Sequence, residues 1–136
     1  MDNIQITLLT YEEYKTYKDI VPLVNNYWWL HTPFNSALVR IVDPDGNISP
    51  CGQAINYYSG VRPVLRMKLS NSKSLCPGDT IRIGSKNFTV LSWNENELVA
   101  LCDEIIAVRK FDSKNGNWET SELKVWLETE GLKLIF

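Results

Sequence analysis

The chain has 136 residues, 44% of them hydrophobic and 22% charged, with a formal net charge of −2. That length fits one domain, with a core large enough to fold without metal or disulfide staples. The weakly acidic balance removes any global attraction to nucleic acid or to an anionic membrane surface, and no apolar stretch approaches the roughly 20 residues of a membrane span.

Met1-Asp2-Asn3-Ile4-Gln5 lacks the basic-then-apolar pattern of a secretory signal, so the expectation is retention in the cytoplasm of the host cell. Ile4 to Leu9 alternates as a strand, with Ile4, Ile6 and Leu8 on one face. Thr10 and Glu13 then give the Thr-x-x-Glu capping box that opens a helix, along which Tyr11, Tyr14 and Tyr17 recur at helical spacing until Pro22 ends or bends it. Tyr27-Trp28-Trp29-Leu30 is a short aromatic strand halted near Pro33. Ala37 to Val42 alternates into the turn Asp43-Pro44-Asp45-Gly46, and a weaker extended stretch covers Asn47 to Ile55.

After Gly60, the segment Val61 to Leu69 predicts one strand, with Leu65, Met67 and Leu69 on one face and Val64, Arg66 and Lys68 on the other. Pro63 cannot donate to a ladder and belongs at the strand start or at an edge. Ser70 to Asp79 is the one linker-like stretch. A β-meander follows, from Thr80–Ile83 through Phe88–Trp93 and Leu98–Cys102 to Ile105–Phe111, turning at Gly84–Asn87, Asn94–Asn96 and Asp103–Glu104. Beyond the polar loop Asp112 to Asn117, Thr120 caps a last helix with a Leu123, Trp126, Leu127 stripe; Gly131 ends it, and Leu132 to Phe136 adds a final short strand.

Two blocks stand out together. One is Leu8-Leu9-Thr10-x-x-Glu13, Trp28-Trp29-Leu30-His31-Thr32-Pro33 and Gly60-Val61-Arg62-Pro63-Val64-Leu65; the other is Ile81-x-Ile83-Gly84, Phe88-x-Val90-Leu91, Ala100-Leu101 and Trp118-Glu119-Thr120-Ser121-x-Leu123-Lys124-x-Trp126-Leu127. Both resemble a bacterial and phage domain family of unknown function whose members end in "WWLRSP … GVRPAL" and begin with "FG … W.VL … W..S.LR.WL". That family is similar to the C-type-lectin-like fold of formylglycine-generating enzymes and of hypervariable receptor-binding proteins. Here its halves stand in reverse order: residues 1–69 correspond to the family's C-terminal half, 70–79 to a joint, and 80–136 to its N-terminal half. The resemblance implies a single α+β domain with a twisted, mostly antiparallel sheet and two helices, lectin-like and circularly permuted; a domain-swapped homodimer is the rival to a monomer. It makes Trp29, Pro33, Gly60, Pro63, Trp118 and Trp126 structural positions. His31 and Thr32 replace the family's Arg and Ser, which breaks any ion pair carried by that arginine.

Catalytic and metal patterns fail one by one. His31 is the single histidine and has no indicated acid, base or metal partner, so it reads as packed. Asp43-Pro44-Asp45-Gly46-Asn47 begins like a calcium loop but has Ile48 at the sixth position and Ala54 at the twelfth. Ser121-x-x-Lys124 lacks the companion motifs of penicillin-binding enzymes, and Ser121 reads as a helix N-terminal residue. Cys51, Cys76 and Cys102 form no disulfide framework, metal spacing or formylglycine-type pair; Cys102 reads as buried, the other two as free thiols in a reducing compartment.

What is left is recognition. Arg62 reads as partly buried and satisfied by carbonyls or a carboxylate, or else as an anion contact. Arg62, Arg66, Lys68 and Lys73 with Tyr57 and Tyr58 make a weak basic-aromatic patch, too weak in an acidic chain to indicate nucleic acid. One of the neighbours Trp28 and Trp29 must point away from the other, either under a helix or into a site. The expectation is a non-enzymatic, cofactor-free recognition module using the loop surface from Asn47 to Gly60. Its candidate contacts are Tyr57, Tyr58, Arg62, Trp28 and His31; a protein partner comes first, a glycan second, and no membrane is involved. The alternative is a small protein, encoded by a phage or mobile element, that binds and inhibits a host defence protein.

Overall fold

The computed structural model describes residues 4–68, 75–94 and 97–136. Strand β1 (Ile4–Thr7) leads through Leu8 and Leu9 to helix α1 (Tyr11–Tyr17), which tightens into a 3-10 turn at Lys18–Ile20. The capping box forms: the Thr10 hydroxyl accepts the Glu13 amide at 3.1 Å, and Glu13 Oε1 accepts the Thr10 amide at 3.0 Å. Then come β2 (Trp28–Pro33), β3 (Leu38–Val42), β4 (Gln53–Ala54), β5 (Ser59–Val61), β6 (Val64–Met67), β7 (Thr80–Ile83), β8 (Lys86–Trp93), β9 (Leu98–Cys102) and β10 (Ala107–Arg109). A 3-10 turn at Trp118–Thr120 precedes the C-terminal helix, built of α2 (Glu122–Trp126), a π-helical turn (Leu127–Gly131) and α3 (Leu132–Ile135).

The architecture is α+β with two mostly antiparallel sheets, where one had been expected. The first runs β1-β6-β9-β8-β7 and the second β10-β5-β2-β3-β4, whose one parallel contact joins β2 to β5. The single strand predicted from Val61 to Leu69 is two strands in different sheets. Val61 ends β5 in the second sheet, the chain crosses at Arg62-Pro63, and Val64 begins β6 in the first. Pro63 offers no amide to a ladder, and its carbonyl accepts the Cys102 amide at 2.9 Å, so the crossover is pinned to the end of β9. The meander likewise stops at β9, and β10 leaves it to pair with β5. Each sheet therefore contains strands from both 1–69 and 80–136. Of the joint, residues 70–74 lie outside the described residues, Lys73 among them, as do Leu69, Met1–Asn3 and residues 95–96 of the Asn94–Asn96 turn.

The adjacent indoles of β2 enter different parts of the core. Trp28 packs edge-on against Tyr14 of α1, ring centres 5.5 Å apart, and is 1% exposed; Trp29 joins Phe111, Trp118 and Leu127. The outward tryptophan thus lies under a helix.

The C-terminal helix departs from expectation twice. Ser121, one residue after Thr120, is the cap: its Oγ accepts the Lys124 amide at 3.0 Å. Gly131 does not end the helix, since its φ is −61° and helical turns continue to Ile135 in place of the expected strand. The helix ends instead against the β7–β8 turn, where the Ser85 amide donates to the Ile135 carbonyl at 2.7 Å and its hydroxyl to the Leu134 carbonyl at 3.0 Å. Those bonds satisfy carbonyls that would otherwise be orphaned. A Cβ at Gly131 would come within 2.8 Å of Leu127 Cδ1, the movable end of that side chain. No described helix is long and apolar enough to cross a membrane.

Candidate functional site

Arg62 sits on the crossover between the sheets and is 0% exposed. Its Nε donates to the Cys102 carbonyl at 2.7 Å, and its guanidinium lies 4.9 Å from the Trp28 ring centre. Neither Nη finds a hydrogen-bond partner among the described residues. Burial lowers its pKa to about 10, against the pull of Asp103, Cys102 and Tyr14. Arg62 thus receives one of the carbonyls anticipated for it. In this conformation neither Arg62 nor Trp28 presents a surface to a ligand.

Tyr57 and Tyr58 are the reverse, at 60% and 64% exposed. The fold adds neighbours that sequence spacing does not place there. Tyr27, 47% exposed, immediately precedes β2, and its carbonyl accepts the Gly60 amide at 2.8 Å. This close approach needs glycine, because a Cβ on Gly60 would fall 2.7 Å from that carbonyl. Arg109 of β10 pairs opposite Ser59, and Lys110 follows it. One end of the second sheet therefore collects Tyr27, Tyr57, Tyr58, Arg109 and Lys110. The Lys110 ammonium lies 5.6 Å from the Tyr58 ring centre, and the Arg109 guanidinium 4.6 Å from that of Trp126. Among the described residues neither cation joins an ion pair, whereas Lys15, Arg66, Lys86, Lys124 and Lys133 all do. A cavity of about 270 Å³ opens here between Tyr58, Arg109, Lys110 and Glu122. Trp126, expected in the core, is half-buried beneath Arg109.

His31 belongs to a different place. Its ring packs on Trp118, centres 5.1 Å apart, at the wall of a cleft of about 500 Å³ that Phe34, Asn35, Asn117 and Glu119 also line. Burial lowers the imidazole pKa, opposed by Glu119 and Glu13, so the ring is neutral near pH 7. The cleft forms where the β2–β3 turn meets the loop 112–117. Gly116 closes the junction: its amide donates to the Ser36 carbonyl at 3.0 Å, and a Cβ there would press within 3.1 Å of the Asn35 carbonyl. Asp112, 4% exposed, holds the loop by accepting the Glu122 amide through Oδ1 and the Lys114 and Asn115 amides through Oδ2, at 3.1, 3.2 and 3.1 Å. Of this cleft the sequence marks only His31 as a candidate contact, with Pro33 and Trp118 as structural residues. Its asparagines carry no recognisable spacing.

The remaining candidates have local tasks. Asp43 Oδ1 accepts the Asp45 and Asn47 amides at 2.9 and 3.0 Å, closing a turn in which Gly46 has φ +86°. Among the described residues no group of His, Cys, Asp and Glu is arranged to hold a metal ion. Cys51 and Cys76 are exposed free thiols and Cys102 is buried. The chain matches no protein-family model, no curated protein and no solved structure.

Proposed function

We propose that this protein is a non-enzymatic recognition module of bacterial or phage origin, which binds a protein partner through the tyrosine end of its second sheet. The observation that carries the proposal is the gathering of Tyr27, Tyr57 and Tyr58, all about half exposed or more, beside two cations engaged only with aromatic rings. Tyrosine gives large contact area at low conformational cost, and tyrosine and arginine are enriched where binding energy concentrates. Unpaired Arg109 and Lys110 favour an acidic partner surface, since they forfeit no internal ion pair on docking. The absence of catalysis is part of the proposal. It is supported by the structural employment of Ser121 and Asp43 in cap and turn.

The same reading takes the fold as C-type-lectin-like with its halves exchanged. Pairing of β5 with β10 and of β6 with β9 supports it, because both sheets then require both halves whichever comes first. We take the chain as a permuted monomer; a dimeric mass by light scattering would assign the exchanged halves to a swapped dimer instead.

The test is affinity capture from cells of the source organism, using the wild-type chain beside the Tyr57→Ala/Tyr58→Ala variant. A protein retained by the wild type and lost by the variant, with circular dichroism unchanged, is the expected result. Equal retention by both would sink the proposal. A captured host defence protein would make the module an inhibitor.

A further inference from the structure

The cleft between the β2–β3 turn and the loop 112–117 lies apart from the tyrosine end and is built for a different class of ligand. Three asparagines line it: Asn35, Asn115 and Asn117. Each has its carbonyl oxygen committed to backbone amides. Asn35 Oδ1 accepts from Ala37 and Leu38 at 2.9 and 3.0 Å, Asn115 Oδ1 from Asn117 at 2.9 Å, and Asn117 Oδ1 from Glu119 at 3.0 Å. These bonds fix which end of each amide is which. The three NH₂ groups remain, on exposed residues, as donors without a partner among the described residues. Asn35 comes from one wall, and Asn115 and Asn117 from the other. The walls are locked together by Gly116, so the donors are held before a ligand arrives.

Apolar area and acceptors complete the cleft. Phe34 is 41% exposed at the rim and is backed by the Arg40 guanidinium, 5.1 Å from its ring centre; Arg40 in turn lies 4.1 Å from Tyr11. His31 offers a second ring, seated on Trp118. Glu119 is the single charged lining residue, so nothing here compensates a phosphate or a carboxylate. The volume of about 500 Å³ falls within the roughly 300–1,000 Å³ of small-molecule sites.

We propose that this cleft binds a neutral saccharide. Sugar hydroxyls accept hydrogen bonds from the amide NH₂ groups and donate hydrogen bonds to Glu119, while the C–H face of the ring lies against Phe34 and His31. A hydroxyl turns its O–H toward Glu119 or water while its lone pairs take the fixed NH₂ donors, whereas a peptide edge holds each N–H in a set direction and demands an acceptor opposite it.

The experiment is saturation-transfer NMR on the wild-type chain with glucose, galactose, mannose and N-acetylglucosamine as probes, together with adenosine and a neutral tetrapeptide. The expected result is transfer to at least one sugar, accompanied by shifts of the side-chain NH₂ signals of Asn35 and Asn117. The Asn35→Asp/Asn117→Asp variant keeps every turn-forming acceptor and removes two donors. It should fold as the wild type does and weaken the responding sugar by roughly tenfold or more. Silence from all four sugars, response only to adenosine or the tetrapeptide, or equal sugar binding by the Asp variant would each overturn the proposal. Loss of partner capture in the tyrosine variant would leave this result untouched, so the two surfaces fail separately.

Discussion

Two arginines lie over indoles at nearly equal distance, Arg62 at 4.9 Å from Trp28 and Arg109 at 4.6 Å from Trp126, yet they occupy opposite kinds of region. The crossover around Arg62 is sealed: the side chain is 0% exposed and ties the step between the sheets to the Cys102 carbonyl. The sheet end around Arg109 is open, and its cation and the neighbouring Lys110 touch rings and solvent. The cation–π contact is common to both, so it does not tell a structural residue from an available one. Solvent access and hydrogen bonding do. At the crossover the arginine's packing holds the sheets together while its buried charge opposes folding.

That contrast is broken most sharply at Arg62. Arg62→Ala removes a filled volume and the bond to Cys102 and should cost about 3 kcal/mol in urea unfolding. Arg62→Met, which keeps the stem and discards the charge, should recover most of this. If both substitutions were as mild as one at Arg109, the crossover would not be the staple described. Burial sets the folded-state pKa near 10, below the ordinary guanidinium value, so the folded state binds fewer protons between the two. The penalty is full below about pH 10 and is relieved as pH rises above it. The deficit of Arg62→Met relative to the wild type should therefore grow above pH 10, where the wild type sheds its buried charge.

Next in size is Asp112, whose single carboxylate serves three backbone amides. Burial raises its pKa, but the hydrogen bonds from the Asn115, Glu122 and Lys114 amides lead the contributions that outweigh this and hold it below the usual carboxylate value. A lowered acid pKa contributes stability that is present above the unfolded value and lost as pH falls through the folded one. Asp112→Ala should cost about 2 kcal/mol near neutrality, and the deficit should shrink in acid when thermal midpoints are compared across pH. Because the same carboxylate shapes one wall of the cleft, this variant should also disturb the Asn115 and Asn117 side-chain NMR signals, while those of the tyrosine end stay in place.

Which features could be read from sequence follows from how far their causes reach along the chain. The Thr10–Glu13 box is three residues long and forms as written. So do the turn at Asp43–Gly46 and the burial of Cys102 inside an apolar strand. Gly131 looked like a helix end because the rule for C-caps is local, whereas the carbonyls of α3 are taken by Ser85, about fifty residues away. The break at Arg62-Pro63 was hidden for the same reason: alternation runs through both strands, and only their separate partners divide them. Tyr57 and Tyr58 stood out as loop aromatics before Gly60. Tyr27, Arg109 and Lys110 join them through the β2–β5 and β5–β10 pairings, which no window of sequence contains.

A smaller effect is expected at Glu13, where burial works against ionisation but the bonds from Arg66 and Thr10 prevail and lower the pKa. Its 2.8 Å contact with Arg66 is largely shielded, with side chains 26% and 19% exposed. Glu13→Gln keeps an acceptor for the Thr10 amide and loses the charge, so about 1 kcal/mol should go, again fading as pH falls through the folded pKa. Differential scanning at two pH values separates this from a purely steric change.

The smallest stability change belongs to the open region, and there it carries the most information. Tyr57→Ala and Tyr58→Ala remove rings that are more than half exposed, so each should shift unfolding by no more than about 0.5 kcal/mol. Lys110→Glu should be as mild, since it breaks only a 5.6 Å contact with an exposed ring. If the sheet end is an interface, these substitutions should abolish partner capture while the folded state stays intact, and Lys110→Glu should slow association more than it speeds release. Added salt should slow wild-type association as well, because exposed charges are screened within about 10 Å at 0.1 M. Arg62→Met would do the opposite, altering stability while leaving capture unchanged. A variant pair that exchanged these behaviours, with binding lost at Arg62 and stability lost at Tyr58, would assign the recognition surface to the crossover and the structural duty to the rim.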